Sequence, residues 1–151
     1  MSGNTDEGVQ ILEPNIQAAL DKTRSDYFSP HAGGGFRAGT HLIIEVKDGS
    51  GLDDKYRIER AFRDCVAATG STLLHIHLHR FDPHGVSGVA VLAESHITVH
   101  TWPELRYGAV DVFMWGKADP WRAGDVLARA FETRDVDVKE INRGLGVIAK
   151  D

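Results

Sequence analysis

The sequence predicts an α+β protein, a two-layer sandwich in which helices cover one face of a largely antiparallel sheet. Three observations predict it. Strand-sized runs rich in β-branched and apolar residues recur along the chain, and two stretches show amphipathic helical spacing. The order of these elements is strand, helix, four strands, helix, strand. Neighbouring strands joined by short breaks favour antiparallel pairing, which leaves the helices to pack on one face.

Residues 1–39 read as a peripheral extension. The pattern allows a short helix over residues 14–24, with Pro14 near its start, followed by the glycine-rich connector SPHAGGGFRAG. Gly33, Gly34 and Gly35 are neither preceded by a strand nor followed by a Lys-Ser/Thr pair. They therefore read as a flexible linker and not as a phosphate loop. Residues 40–151 form the predicted domain.

The first strand is residues 40–46, THLIIEV. The first helix is residues 52–69, where Leu52, Tyr56, Ile58, Phe62, Cys65 and Val66 recur at helical spacing. Asp53 or Asp54 is available as its cap, and Gly70 stops it. Cys65 falls on the apolar side and reads as a small core residue. Four strands follow, over residues 71–81, 86–93, 96–101 and 109–115. Asp82-Pro83-His84-Gly85, the Glu94-Ser95 junction and residues 103–108 break them. The second helix spans residues 120–132, with Pro120 in its first turn and Val126, Leu127, Ala130 and Phe131 inward. A last strand over residues 136–141 precedes a short tail containing glycine.

A chain of 151 residues suits one domain with a single core, and 42% apolar with 26% charged residues is a globular composition. The net charge of −5 lacks the basic footprint of a nucleic-acid binder and tilts weakly toward small cations. No apolar run approaches the roughly 20 residues of a membrane span, and the acidic start has no signal-peptide pattern. One cysteine excludes an intramolecular disulfide framework. The expectation is a cytoplasmic protein with neither nucleic acid nor membrane as partner.

Chemistry-bearing residues concentrate between Phe81 and Gly116, with a histidine run just before. Glu94-Ser95 interrupts an otherwise apolar strand pair, and composition alone reads it as a turn. His75, His77 and His79 alternate and so share one strand face. His96 and His100 follow Ser95, placing a hydroxyl and two imidazoles within six residues. The triplet with His96 or His100 has the donors for a three-nitrogen zinc site. A polar face in a cleft or at a subunit contact is the favoured reading, and no metal is expected.

The string ESHITVHTWPE, residues 94–104, within HRFDPHGVSGVAVLAESHITVHTWPELRYGAVDVF, resembles the prokaryotic class of S-adenosylmethionine decarboxylases. The resemblance runs from His41 to the last strand. It implies a proenzyme whose cofactor is a pyruvoyl group made from Ser95. Ser95 Oγ would attack the Glu94 carbonyl carbon, and elimination and hydrolysis would leave a β chain (1–94) and an α chain (95–151). By family position Ser87 and His100 assist the processing; an imidazole with pKa near about 6.5 can take the Cα proton at neutral pH. The mature ketone would form a Schiff base with an amino-acid substrate and act as an electron sink as CO₂ leaves. The resemblance also implies a homodimer of cleaved units whose sites draw on both subunits.

The sequence departs from that pattern at three places. Trp115 stands where the family has its proton-donating cysteine, leaving reprotonation to His77, His79 or water. Leu78 replaces a phenylalanine that stacks on the substrate's adenine. Asp82 replaces an apolar residue and, with Glu104, offers a carboxylate to a cationic tail, although Asp-Pro is also a common turn opener. Leu78, Asp82, Glu104 and Trp115 are the predicted substrate contacts. These changes favour L-ornithine or L-arginine as substrate. S-adenosylmethionine itself is the alternative, and a catalytically silent regulatory paralogue, suggested by the missing cysteine, is a further one.

Overall fold

A computed structural model describes residues 28–147. The helix expected over residues 14–24 lies outside them. In chain order the elements are β1 (Ser29–Pro30), β2 (Phe36–Arg37), β3 (Gly39–Lys47), α1 (Lys55–Thr69), β4 (Leu73–Arg80), β5 (Val86–Leu92), β6 (Ser95–Trp102), β7 (Tyr107–Met114), α2 (Arg122–Ala130) and β8 (Asp135–Arg143). A 3₁₀ turn, Pro103–Leu105, joins β6 to β7. Strands β4-β5-β6-β7-β3-β8 form one six-stranded sheet in that order, antiparallel throughout. The predicted α+β sandwich is the observed fold.

Alternation decides which face is covered. In β3, Thr40, Leu42, Ile44 and Val46 are buried, while the residues between them stay partly exposed. β7 repeats the pattern with Gly108, Val110, Val112 and Met114. The apolar side chains among them join Ile58, Phe62 and Cys65 of α1 and Val126 and Leu127 of α2 in one core. Among the described residues no helix covers the opposite face. His41, His96, His100 and Asp111 stand on it, because period-two alternation sends every second residue there. The first long strand ends up inside the sheet because β8 returns to pair its free side.

Asp54 is the cap of α1, accepting from the Tyr56 and Arg57 amides, so the helix begins three residues later than predicted. Asp53 instead accepts from the Gly85 amide at 2.8 Å and from Arg80 at 2.6 Å, tying the helix entry to the β4–β5 turn. Tyr56 is expected inward but is 81% exposed, since it lies two residues, about 200° of helix rotation, from buried Ile58 and so faces the opposite way. Gly70, at φ 71, ends the helix with its N–H on the Val66 carbonyl. Cys65 is fully buried, and burial, with Asp64 adding to it, pushes its thiol up to about 12. It is a core residue, as expected.

The glycine-rich connector differs from the flexible linker predicted. β1 and β2 pair as a short hairpin, and Arg37 Nη1 donates to Asn142 at 2.7 Å and Glu140 at 3.1 Å on β8. Among the described residues no helix is long and apolar enough to cross a membrane.

Gly88 is the tightest point between β4 and β5. A Cβ there would meet Leu78 Cδ2 at 2.2 Å and the His77 carbonyl oxygen at 2.6 Å. Gly88→Ala is expected to lower the unfolding free energy by about 1–3 kcal/mol through overpacking, read as a lower urea midpoint at unchanged slope.

Candidate functional site

β5 and β6 are joined by Ala93 and Glu94 alone, with Leu92 opposite Ser95. Two-residue hairpins ordinarily need positive φ within the loop and select glycine or asparagine for it. Neither stands here. The positive φ falls instead on Ser95, at 141°, a region almost confined to glycine.

The residue before it is clamped. Glu94 Oε2 accepts from the Thr72 amide at 2.8 Å and Oε1 from the Thr72 hydroxyl at 3.0 Å. The Glu94 carbonyl oxygen accepts from the Trp115 amide at 3.2 Å, which fixes and polarises that carbonyl. The Ser95 hydroxyl lies 3.3 Å from His96 Nδ1.

A polar cluster continues from His96 across four strands of the open face. Asp111 Oδ2 is 3.0 Å from His96 Nε2 and 2.6 Å from His41 Nε2, and its other oxygen accepts from the Thr98 hydroxyl. Register brings these groups together: Thr98 and Ile43 lie opposite Asp111, and His41 and His96 both lie opposite Phe113. Arg143, from β8, donates to His41 Nδ1 at 3.0 Å and sets its guanidinium 5.5 Å from the Phe113 ring centre.

The protonation pattern follows from the donor inventory. Arginine only donates, so His41 Nδ1 accepts, and an ionised carboxylate only accepts, so both imidazoles turn an Nε2–H toward Asp111. Burial alone would raise the Asp111 carboxyl. The hydrogen bonds from His96, Thr98 and His41 outweigh it and hold the group well below the usual carboxylate range. His41, His96 and Asp111 approach within 4.8 Å as metal ligands do, but their facing nitrogens are N–H donors to one carboxylate.

The other predicted residues stand elsewhere. Ser87 Oγ is 2.8 Å from His100 Nδ1, an exposed pair set opposite each other on β5 and β6. Ser95 and His100 are five residues apart on one strand, about 16 Å by strand rise. His75, His77 and His79 are exposed along the edge strand β4, and His79 packs its ring 4.6 Å from Phe81. Leu78 points into the core and is 6% exposed. Asp82 is fully exposed in its turn, and Glu104 pairs with His84 at 2.9 Å. Trp115 is buried next to Glu94, its ring edge-on to Phe113.

Sequence reasoning did not single out His41, Thr98, Asp111 or Arg143 as site residues. A charged or polar residue at an alternating position of an apolar strand was the available signal. Only the register, however, shows which of them meet.

Comparison with known proteins fits this arrangement. The family model for S-adenosylmethionine decarboxylase matches residues 40–144. The chain belongs to the S-adenosylmethionine decarboxylase family. It is 44% identical over 110 residues to the S-adenosylmethionine decarboxylase proenzyme of Methanococcus maripaludis strain C5, covering 71% of this chain and 90% of the relative. With the proenzyme of Thermomicrobium roseum it shares 42% over 109 residues, 71% of this chain and 94% of that one. Among solved structures it is similar to the adenosylmethionine decarboxylase of Aquifex aeolicus, with a TM-score of 0.66 and 30% identity over 75% of this chain and 94% of the other.

Membership makes the chain a carboxy-lyase, a decarboxylase. It also corrects the expected substrate. Relatives in this range carry the S-adenosylmethionine name, not that of an ornithine or arginine decarboxylase. The physical reason lies in the residues that suggested the change. Leu78 is in the core, Asp82 is in open solvent and Glu104 is engaged by His84, so none presents a carboxylate or a flat apolar wall to a cationic tail.

Proposed function

We propose that this chain is an S-adenosylmethionine decarboxylase proenzyme that cleaves itself between Glu94 and Ser95 and turns Ser95 into a pyruvoyl group. The observation that carries the reading is the conformation of Ser95. A non-glycine residue at φ 141 holds strain on the order of 1–3 kcal/mol, next to a carbonyl that accepts from the Trp115 amide and a Glu94 side chain clamped by Thr72. Conversion of its Cα to a trigonal carbon relieves that strain, so the residues fit the group. The proenzyme names of the relatives support the same reading.

The mature group supplies a ketone that captures an α-amine and draws off the electrons left as CO₂ departs. The chain's own residues prepare it. Thr72 anchors the Glu94 side chain, while the Trp115 N–H holds the Glu94 carbonyl for attack and faces the oxygen on which negative charge develops. His100, oriented by Ser87, takes the Cα proton in the later elimination.

That last role needs a second copy. His100 is about 16 Å from Ser95 along β6, beyond the reach of any side chain within one protomer. The face opposite the two described helices also exposes Val91, Trp102 and Ile141 at 39%, 41% and 39%. An isologous homodimer through this face lets the Ser87–His100 pair of one chain serve Ser95 of the other. Co-expression of Ser95→Ala with His100→Ala chains checks it. Each variant alone stays uncleaved, and the mixture cleaves the His100→Ala chain; absence of cleavage in a demonstrated mixed dimer contradicts the sharing.

The substrate is tested by supplying S-adenosylmethionine, L-ornithine and L-arginine separately and measuring CO₂. Release from S-adenosylmethionine alone is expected, and release from either amino acid in its place contradicts the proposal.

A further inference from the structure

We infer that His96 is the general base that takes the Ser95 hydroxyl proton in the first step of self-cleavage, with Asp111 as its positioning residue. The inference rests on the proposed cleavage at Glu94–Ser95 and assigns a proton that the cleavage leaves unassigned. His100 cannot take it within the same protomer, and a base suited to the Cα proton need not face the hydroxyl.

The geometry around His96 is directional. Asp111 is ionised and only accepts, so His96 Nε2 carries a hydrogen aimed at Oδ2 at 3.0 Å. In the neutral ring the other nitrogen, Nδ1, is then the one with a lone pair, and it lies 3.3 Å from Ser95 Oγ. Serine, imidazole and carboxylate thus stand in the hydrogen-bonded order that activates a hydroxyl in acyl-transfer enzymes. The carboxylate is itself held by Thr98 and by His41, which Arg143 fixes from the far side. A rigid outer set of this kind keeps the base in one tautomer and one rotamer.

The step balances without any outside reagent. The Oγ–H proton passes to His96 Nδ1 as Oγ bonds to the Glu94 carbonyl carbon. The carbonyl π pair moves to oxygen, where the Trp115 N–H at 3.2 Å meets it. When that pair returns, the bond from Glu94 carbon to Ser95 nitrogen breaks. The proton on His96 goes to the departing nitrogen, leaving an ester between Glu94 and Ser95 Oγ with a free amine. Asp111 stays ionised throughout and stabilises the transient imidazolium.

Freshly made full-length chains are followed by intact mass over time, with and without hydroxylamine, which cleaves an ester at Glu94 but not the original amide. His96→Gln retains a donor toward Asp111 and has no base; it is expected to fold as wild type by circular dichroism and to cleave about 10²–10⁴-fold more slowly. It accumulates no hydroxylamine-sensitive ester, whereas His100→Ala, blocked later, does. In His96→Ala, added imidazole is expected to restore part of the rate, a response that a purely structural role would not give. Cleavage of folded His96→Gln within about threefold of wild type, or ester accumulating in it, overturns the inference. A wild-type chain that never divides at Glu94–Ser95 defeats the underlying reading instead, and the two failures are distinct.

Discussion

Replacement of Ser95 by alanine is expected to leave one uncleaved chain with no decarboxylase activity, the largest effect of any single change in this protein. Alanine keeps the chain length, the Thr72 clamp on Glu94 and the Trp115 hydrogen bond to its carbonyl. It removes the only atom that can attack that carbonyl from residue 95, and with it the carbon–oxygen framework from which a ketone can be made. Both cleavage and the electron sink vanish together. Stability should change little, because alanine at φ 141 meets the same backbone clash as serine. A denaturing gel, a urea midpoint and CO₂ release from S-adenosylmethionine together check this. Activity surviving in the variant would exclude a Ser95-derived group.

Asp111→Asn is expected to be the most destabilising of the site substitutions, by about 2–3 kcal/mol at neutral pH. The carboxylate accepts from His41, His96 and Thr98, and its side chain is 24% exposed. An asparagine amide has one acceptor oxygen for these donors and turns an N–H toward at least one of them. The effect carries a definite pH signature. The Asp111 carboxyl is depressed in the folded chain below the ordinary 3.8, so folding favours its ionised form. The resulting stability is fully present above that value and is lost as pH falls toward the folded pKa. Wild type and Asp111→Asn should therefore differ most above about pH 5 and converge below about pH 4, as read from urea midpoints across pH.

Much of the fold was legible because local pattern and tertiary need agree in it. THLIIEV reads as a strand buried on alternate residues, and β3 buries Thr40, Leu42, Ile44 and Val46. Cys65 reads as core from its helical phase, and its complete burial follows from packing against the sheet. Tyr56 shows the limit of phase alone. It stands four residues after Leu52 but only two before Ile58, and the buried stripe of α1 follows Ile58, which leaves Tyr56 facing solvent.

The site was only half legible. Glu94 and Ser95 stand together in the sequence, and a familiar string marks them. His41 and Asp111 are 70 positions apart, and only the β3–β7 register brings them to 2.6 Å. Local spacing carries no trace of such a meeting. The expected substrate failed for a related reason: Leu78 and Asp82 were read as lining a pocket because of their places in a motif. Strand alternation in fact turns Leu78 into the core against Gly88, and the β4–β5 turn carries Asp82 into solvent.

Intact mass of the purified wild-type chain under denaturing conditions tests the central claim most directly. Two products are predicted, residues 1–94 and residues 95–151, the second lighter by one ammonia than simple hydrolysis would leave it and reactive toward carbonyl reagents. A single chain at the full 16.6 kDa, or a second product still beginning with serine, would contradict it.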